Sequence, residues 1–444
     1  MMRYTRNAIA ALLALSLTAC GGGLFGGGDK KDTPTIGERI PVLSRIESGA
    51  KVDPDLVSTP VVLPAPTTND SWGQAGGSAA KASSHLTLGE YPTRIWTAQI
   101  AGSSDRRRLA ASPVVGGGKL FAVDTDGMVH AFDAASGSRL WSRQAELDGN
   151  MRAAAFGGGV SFSDGRVFAT NGAGEVLSLD ADTGSELWKV QPAGPLRGSP
   201  TIAFNSVYVM TQDNQIFALD ANDGSLQWQE SGSTAQAGVF GVAAPAAAQG
   251  SVIAGYSSGE LAAYRYENGR VLWADALSRT SISTQVGTLA DIDADPIIQD
   301  GRVYALGQGG RMAAYELTTG QRIWELNLAG ISTPAISGEW IFTLTDDARL
   351  LAIQRATGKV RWLTQLQRFR DEEDKKGPIF WTGPVLAGNQ LWVASSEGEI
   401  YRLSTGEGSA ALFTDVDESV SLAPIVANST LYILDDSGQI SAYR

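Results

Sequence analysis

Apolar residues in this chain come in short bursts of two to five, cut by Gly, Asp and Asn at near-regular intervals. Residues 199–228 show the pattern most plainly. Pro200 opens the stretch, and an apolar pair begins seven residues on at Val207 and Tyr208. Asn214 marks a turn seven residues later, followed by the apolar run 216–219. Asp223 and Gly224 form a second turn, and Trp228 lies four residues beyond that Gly. Such runs are too short for helices. Separated by Asn-, Asp- and Gly-rich turns, they predict antiparallel strands joined by tight hairpins, here a four-stranded meander.

The meander repeats. Aligned on Pro200, the other copies start at Pro113, Val160, Pro245, Pro296, Pro334, Pro384 and Pro424. Seven residues after each start stands Leu120, Val167, Val252, Val303, Ile341, Leu391 or Leu431. Seven more bring Gly127, Gly174, Gly259, Gly310, Ala348, Gly398 and Gly438. Eight copies without a slip predict an all-β ring, an eight-bladed β-propeller of four-stranded antiparallel blades.

The outermost strand of each copy carries an aromatic residue after a turn Gly. Trp141, Trp188, Trp228, Trp273, Trp324 and Trp362 fill this place, and Phe413 stands in for it in the seventh copy. One large ring per blade in a fixed frame is what packing of each blade on its neighbour requires. The eighth copy stops at Arg444 without an outer strand. Residues 94–100 (RIWTAQI) supply the missing strand, with Trp96 in the docking position. An N-terminal strand therefore completes the last blade and removes the open edges.

Composition refines this picture. The formal net charge of −12 gives no electrostatic footprint for nucleic acid. Residues 1–19 have the form of a signal peptide, with Arg3 and Arg6 before an apolar stretch too short to span a bilayer. Cys20, the only cysteine, follows Leu17, Thr18 and Ala19 in a pattern resembling the lipobox of bacterial lipoproteins, which makes it the lipidation site. By the same resemblance Gly21 favours outer-membrane retention. Residues 20–70, rich in Gly and then in Pro, predict a lipidated, flexible linker, extended or weakly ordered through residues 33–66, and residues 71–444 the propeller.

The loops between each outer-strand aromatic and the next start crown one face of such a ring. The longest are residues 141–160, 273–296 and 362–384, and long loops on a rigid scaffold are where binding resides. Catalytic chemistry is sparse. With His85 and His130 as the only histidines, zinc sites and Cys/His or Ser/His/Asp nucleophile systems are disfavoured, and His130 reads as structural. Residues 291–295 resemble half of a calcium loop, but Pro296 and Arg302 occupy the positions where an EF-hand needs Gly and Glu. No cofactor or metal is expected. The charges at residues 106–108 and 371–376 read as solvated loops, and Ile379, Phe380 and Trp381 as a small satellite core under the loop or, as the alternative, an exposed docking spot.

The frame of Ala131, Asp133, Gly137 and Trp141, repeated as Leu179, Asp180, Gly184 and Trp188, resembles the tryptophan-docking repeat of pyrroloquinoline-quinone-type propellers. Two families share it, the quinoprotein dehydrogenases and the BamB lipoproteins of the outer-membrane β-barrel assembly machinery. The lipobox and the lack of a catalytic appendage make residues 90–444 similar to the second. That resemblance implies a non-enzymatic scaffold at the outer membrane, facing the periplasm. Its partners would be the POTRA repeats of BamA, the other lipoproteins of the machinery and nascent outer-membrane β-barrel proteins. Leu196 and Arg197 resemble part of the family's first BamA-contacting loop, and Asp291 and Asp293 its second. The upstream Leu of the first motif is absent, with Gly194 or Pro195 in its place. A quinone-dependent dehydrogenase and a polysaccharide-binding propeller stay open as alternatives, the former weakened by the absence of an adjacent cysteine pair.

Overall fold

In a computed structural model, described here for residues 50–145, 147, 151–196, 198–233, 243–277 and 291–444, the repeat becomes eight four-stranded sheets. Blade 1 consists of Val114–Gly116, Lys119–Val123, Met128–Asp133 and Arg139–Gln144. The inner strands of blades 2 to 7 are Val160–Ser163, Thr201–Ala203, Ala246–Ala248, Ile297–Gln299, Ala335–Ser337 and Trp381–Ala387. Blade 8 takes Ile425–Ala427, Thr430–Leu434 and Gln439–Tyr443 from the C-terminal end and Arg94–Gln99 from the N-terminal side. Thr97 pairs with Ser441 and Gln99 with Gln439, so the ring closes as the sequence predicts.

Burial falls off outward along each blade. Second strands such as Ser206–Met210 and Trp340–Leu344 are buried throughout, whereas the outer strands Leu226–Ser231 and Val271–Ala276 bury little besides their Trp. In seven blades a bulge falls on the residue just before that Trp. A bulge bends the strand and re-aims the next side chain, and here it turns the indole toward the neighbouring blade. Each indole N–H donates to a backbone carbonyl in the next blade's third-to-outer turn. Trp96 reaches Ala134, Trp141 reaches Ala181, Trp188 reaches Ala221 and Trp228 reaches Tyr266. Trp273 reaches Leu317, Trp324 reaches Arg355 and Trp362 reaches Thr405, all within 2.7 to 3.1 Å.

Blade 7 differs for a topological reason. Its neighbour, blade 8, draws its third and outer strands from distant parts of the chain, so no turn joins them and no carbonyl waits for an indole. The bulge falls on Phe413 itself, and the ring meets Trp392 and Tyr443 edge-on at 5.1 and 5.5 Å.

Residues 50–70, which the sequence assigns to a flexible linker, are extended but laid against the ring. On the face opposite the long loops, Asp53 donates its N–H to the Val360 carbonyl at 2.8 Å, and Lys359 pairs with Asp53 at 3.0 Å. The chain then enters the channel and makes one circuit of its wall. Asn69 bonds blade 8 at Val426, and Trp72 exchanges two bonds with Val115 of blade 1. The Gly73 carbonyl accepts from Phe162 of blade 2, and the Gln74 side chain brackets Ile202 of blade 3. Ala79 and Ala80 accept from Ala247 and Ile298 of blades 4 and 5. Ala82 packs on the cluster containing Ile336 of blade 6, and Leu86 bonds Leu386 and Gly388 of blade 7. The start and end of the circuit clasp each other, Thr67 donating to His85 and Thr87 to Thr67. Residues 67–87 thus form a hoop inside the ring. Residues 40–44, whose packing the sequence leaves open, lie outside the described residues.

Candidate partner-binding face

The loops that lead from one blade to the next crown the mouth of the channel. The hoop forms a floor beneath them, and the cavity between measures about 310 Å³. Its walls are the beginnings of the inner strands at Pro113, Pro334, Pro384 and Pro424. Hydroxyl groups from several loops line it, and its charges are Lys81 from the hoop and Asp293 and Asp295 from the loop before blade 5.

Burial sets the chemistry of the acidic side. Asp293 has one carboxylate oxygen sealed from solvent with no hydrogen-bond partner. Desolvation first, then repulsion from Asp291 and Asp346, push its pKa up to about 7. Asp346, on the second-to-third turn of blade 6, is raised to about 6 by burial and by Asp347 beside it. Asp295 is better served, accepting the Ala244 N–H at 2.7 Å, yet burial still raises it. Its electrostatic counterpart is Lys81 in the hoop, whose ammonium donates to Thr201 Oγ1 at 2.9 Å. Burial lowers Lys81 to about 8, and the charge of Asp295 opposes that fall.

The residues singled out in sequence separate on this face. Asp291 and Asp293 share the acidic edge, with Asp291 almost fully buried and its carbonyl accepting from Gln308 at 2.8 Å. Ile292 between them is a core residue against Tyr315 and Trp273. Leu196 is a correction: its side chain is wholly buried among Phe168, Trp188 and Val209, where no partner reaches it. It anchors its loop instead, its N–H on the Asn171 carbonyl and its backbone paired with Thr211. Arg197 lies outside the described residues, as do Cys20 and residues 278–290 of the second long loop.

Other candidates take up structural places. His130 Nε2 is 2.8 Å from Asp124 Oδ2, and Nδ1 is 2.8 Å from Ser142 Oγ and 3.0 Å from an Arg139 guanidinium nitrogen. A guanidinium only donates, so Nδ1 is an acceptor and Nε2 carries the proton to Asp124. The unit braces the turn at Asp124, whose carboxylate also accepts from Asp126 and Met128. Of the apolar trio, Ile379 and Trp381 are buried in the core shared by blades 6 and 7 and form no separate satellite, while Phe380 is 67% exposed. Residues 371–376 form the tip of a small hairpin of Phe369–Asp371 with Lys376–Pro378. Among the described residues no three His, Cys, Asp or Glu side chains are grouped to hold a metal ion, and no helix is long and apolar enough to cross a membrane. Sequence reasoning missed Lys81, Asp295 and Gln74. Asp295 alone carried a signal, standing two residues after Asp293 and directly before a repeat-start proline.

An indole-docked ring of eight four-stranded blades defines the class: a propeller of the pyrroloquinoline-quinone-repeat type. The model of the family described as outer membrane protein assembly factor BamB matches residues 93–149 and 125–364, and the chain belongs to that family. The BamB of Vibrio cholerae is 30% identical over 351 residues, covering 79% of this chain and 88% of the relative. That of Yersinia pestis is 28% identical over 357 residues with the same coverage. Among solved structures, BamB from Moraxella catarrhalis superposes with a TM-score of 0.69 at 22% identity, covering 80% of this chain and 99% of that one. A quinohemoprotein alcohol dehydrogenase from Comamonas testosteroni reaches a TM-score of 0.66 at 14% identity, covering 88% of this chain and 82% of that one, a likeness of fold alone.

Proposed function

We propose that this chain is a non-enzymatic scaffold of the outer-membrane β-barrel assembly machinery. It is anchored through a lipidated Cys20 at the outer membrane, faces the periplasm, binds the POTRA repeats of BamA and works beside the other lipoproteins on nascent barrel proteins. Family membership supports the role, and one observation carries the partner site. Asp293 presents on the crowned face a carboxylate whose buried oxygen has no hydrogen-bond partner. A carboxylate so placed gains from a basic side chain brought by a partner, because the pairing offsets a desolvation cost already incurred in the free protein. Arg197, on the loop that Leu196 anchors, would supply a second contact of opposite sign.

Capture of BamA by the detergent-solubilised full chain tests this reading. Asp293→Asn and Arg197→Glu should each weaken capture by about tenfold or more, the loss expected of an interface anchor, with no fall in melting temperature. Undiminished capture by both variants overturns the site. Failure of the wild type to capture BamA overturns the function.

A further inference from the structure

The hoop uses the same position in every blade. Counting from the residue that opens each repeat, the blade residue two places on is Val115, Phe162, Ile202, Ala247, Ile298, Ile336, Leu386 or Val426. Five of these share a backbone–backbone hydrogen bond with residues 72–86, and the Val426 carbonyl accepts from the Asn69 side-chain amide. Ile202 is held through the Gln74 amide, and Ile336 through packing with Ala82. These are the inward edges of the innermost strands, which nothing else in a propeller pairs. The hoop visits the blades in ring order, one contact each, and clasps itself at Thr67 and Leu86. Its residues are mostly small, and the space demands it: a Cβ on Gly73 would lie 2.8 Å from the Phe162 carbonyl oxygen. Lys81 crosses the middle to Thr201, filling the hole that such small residues leave. The family match begins at residue 93, after the hoop ends.

We propose that the inner edge of this ring is a binding site for an extended polypeptide, and that residues 67–87 are its resident, exchangeable ligand. The site reads mostly main chain, through hydrogen bonds on seven of the eight blades and packing on blade 6, and selects for Gly, Ala and Ser by steric exclusion, with Lys81 as its one basic side chain. Recognition through main-chain hydrogen bonds plus excluded volume is the logic of strand addition at a sheet edge, bent here into a circle. The site faces the channel axis and adjoins the crown, where Lys81 lies beside Asp295 on the floor of the same cavity.

A full chain with a protease site in place of residues 89–91, all three exposed, tests the proposal. The protein is folded first and then cut, leaving the hoop held only by non-covalent contacts. The cut piece should stay with the ring through gel filtration. An excess of fluorescent peptide spanning residues 50–88 should replace it, read by anisotropy. The same peptide carrying Gly73→Val should compete about tenfold less well or worse, since the valine meets backbone that cannot yield. Immediate release of the piece from an intact ring overturns the proposal. Equal competition by the Gly73→Val peptide overturns it too. So does retention without exchange, for the hoop would then be fold rather than ligand.

Discussion

At the scale of single residues, each blade turn faces the indole of its neighbour, and two glycines of blade 1 separate two costs. Gly118 and Gly137 both sit at a φ of +73°. A Cβ on Gly118 would meet nothing within 4 Å, while one on Gly137 would lie 2.6 Å from the Trp96 ring. Gly118→Ala should therefore lose only the left-handed strain, about 1–2 kcal/mol. Gly137→Ala should lose that and a further ~1–3 kcal/mol from overpacking, read as a clearly larger fall in melting temperature. Equal falls would mean that the indole is not seated. The sequence made the Trp frame legible because the requirement recurs in every blade. Phe413 shows its limit: it stands one residue beyond the frame, and only the shifted bulge explains how it turns inward. Leu196 misled for a related reason. A motif records which residue is present and not which way the chain faces, and here Leu196 lies in the core between blades 2 and 3.

At the scale of elements, strands were predictable and the hoop was not. A strand pairs with one seven residues away, so its partners are visible as a period. Residues 67–87 have no period, their bonds are mostly main-chain, and Gln74 finds its partner 128 residues along. Residues 67–70 fall in the stretch the sequence assigns to the linker and 71–87 in the propeller span, but their Gly, Ala and Ser content marks no strand and names no partner. Two deletions of different kinds follow. Trp96→Ala should destabilise by roughly 3–5 kcal/mol, as Trp228→Ala should, because the closing strand is a full member of blade 8. Deleting residues 50–88 while keeping the closing strand should lower the melting temperature by more than about 5 °C, since backbone bonds on seven inner strands are lost together. A tail that merely covered the ring would leave it unchanged.

At the scale of the whole molecule, the acidic sector of the mouth ties partner binding to pH. Asp293 titrates near 3.8 when unfolded and near 7 when folded. An acid raised in this way favours the folded state below its unfolded pKa, and that advantage is lost as pH rises through 7. Relative to Asp293→Asn, the wild type should lose stability between pH 4 and 8 by no more than about 4 kcal/mol, measured by thermal unfolding across that range. The charges of Asp291 and Asp346 face the same group, and Asp346, itself raised to about 6, contributes to the slope. A basic partner group would favour the ionised form, so capture of BamA should strengthen from pH 6 to pH 8 in the wild type and stay level in Asp293→Asn. A flat wild-type profile would separate the carboxylate from the interface.

Ring closure also sets a schedule. Thr93 and Arg444 share hydrogen bonds across 351 residues of chain, so the two must be brought together from far apart before the circle is shut. Until Gln439–Tyr443 exists, Arg94–Gln99 has no sheet to join, and seven blades can stack while the circle stays open. Loop closure over such a span is entropically dear and slow, and an open arc offers strand edges to other chains throughout the wait. The hoop shortens that exposure. Its contacts with blades 1 to 5 and 7 need no closed circle and can be added blade by blade, so a partly formed arc can be held on its inner side before Gln439–Tyr443 pairs with Arg94–Gln99.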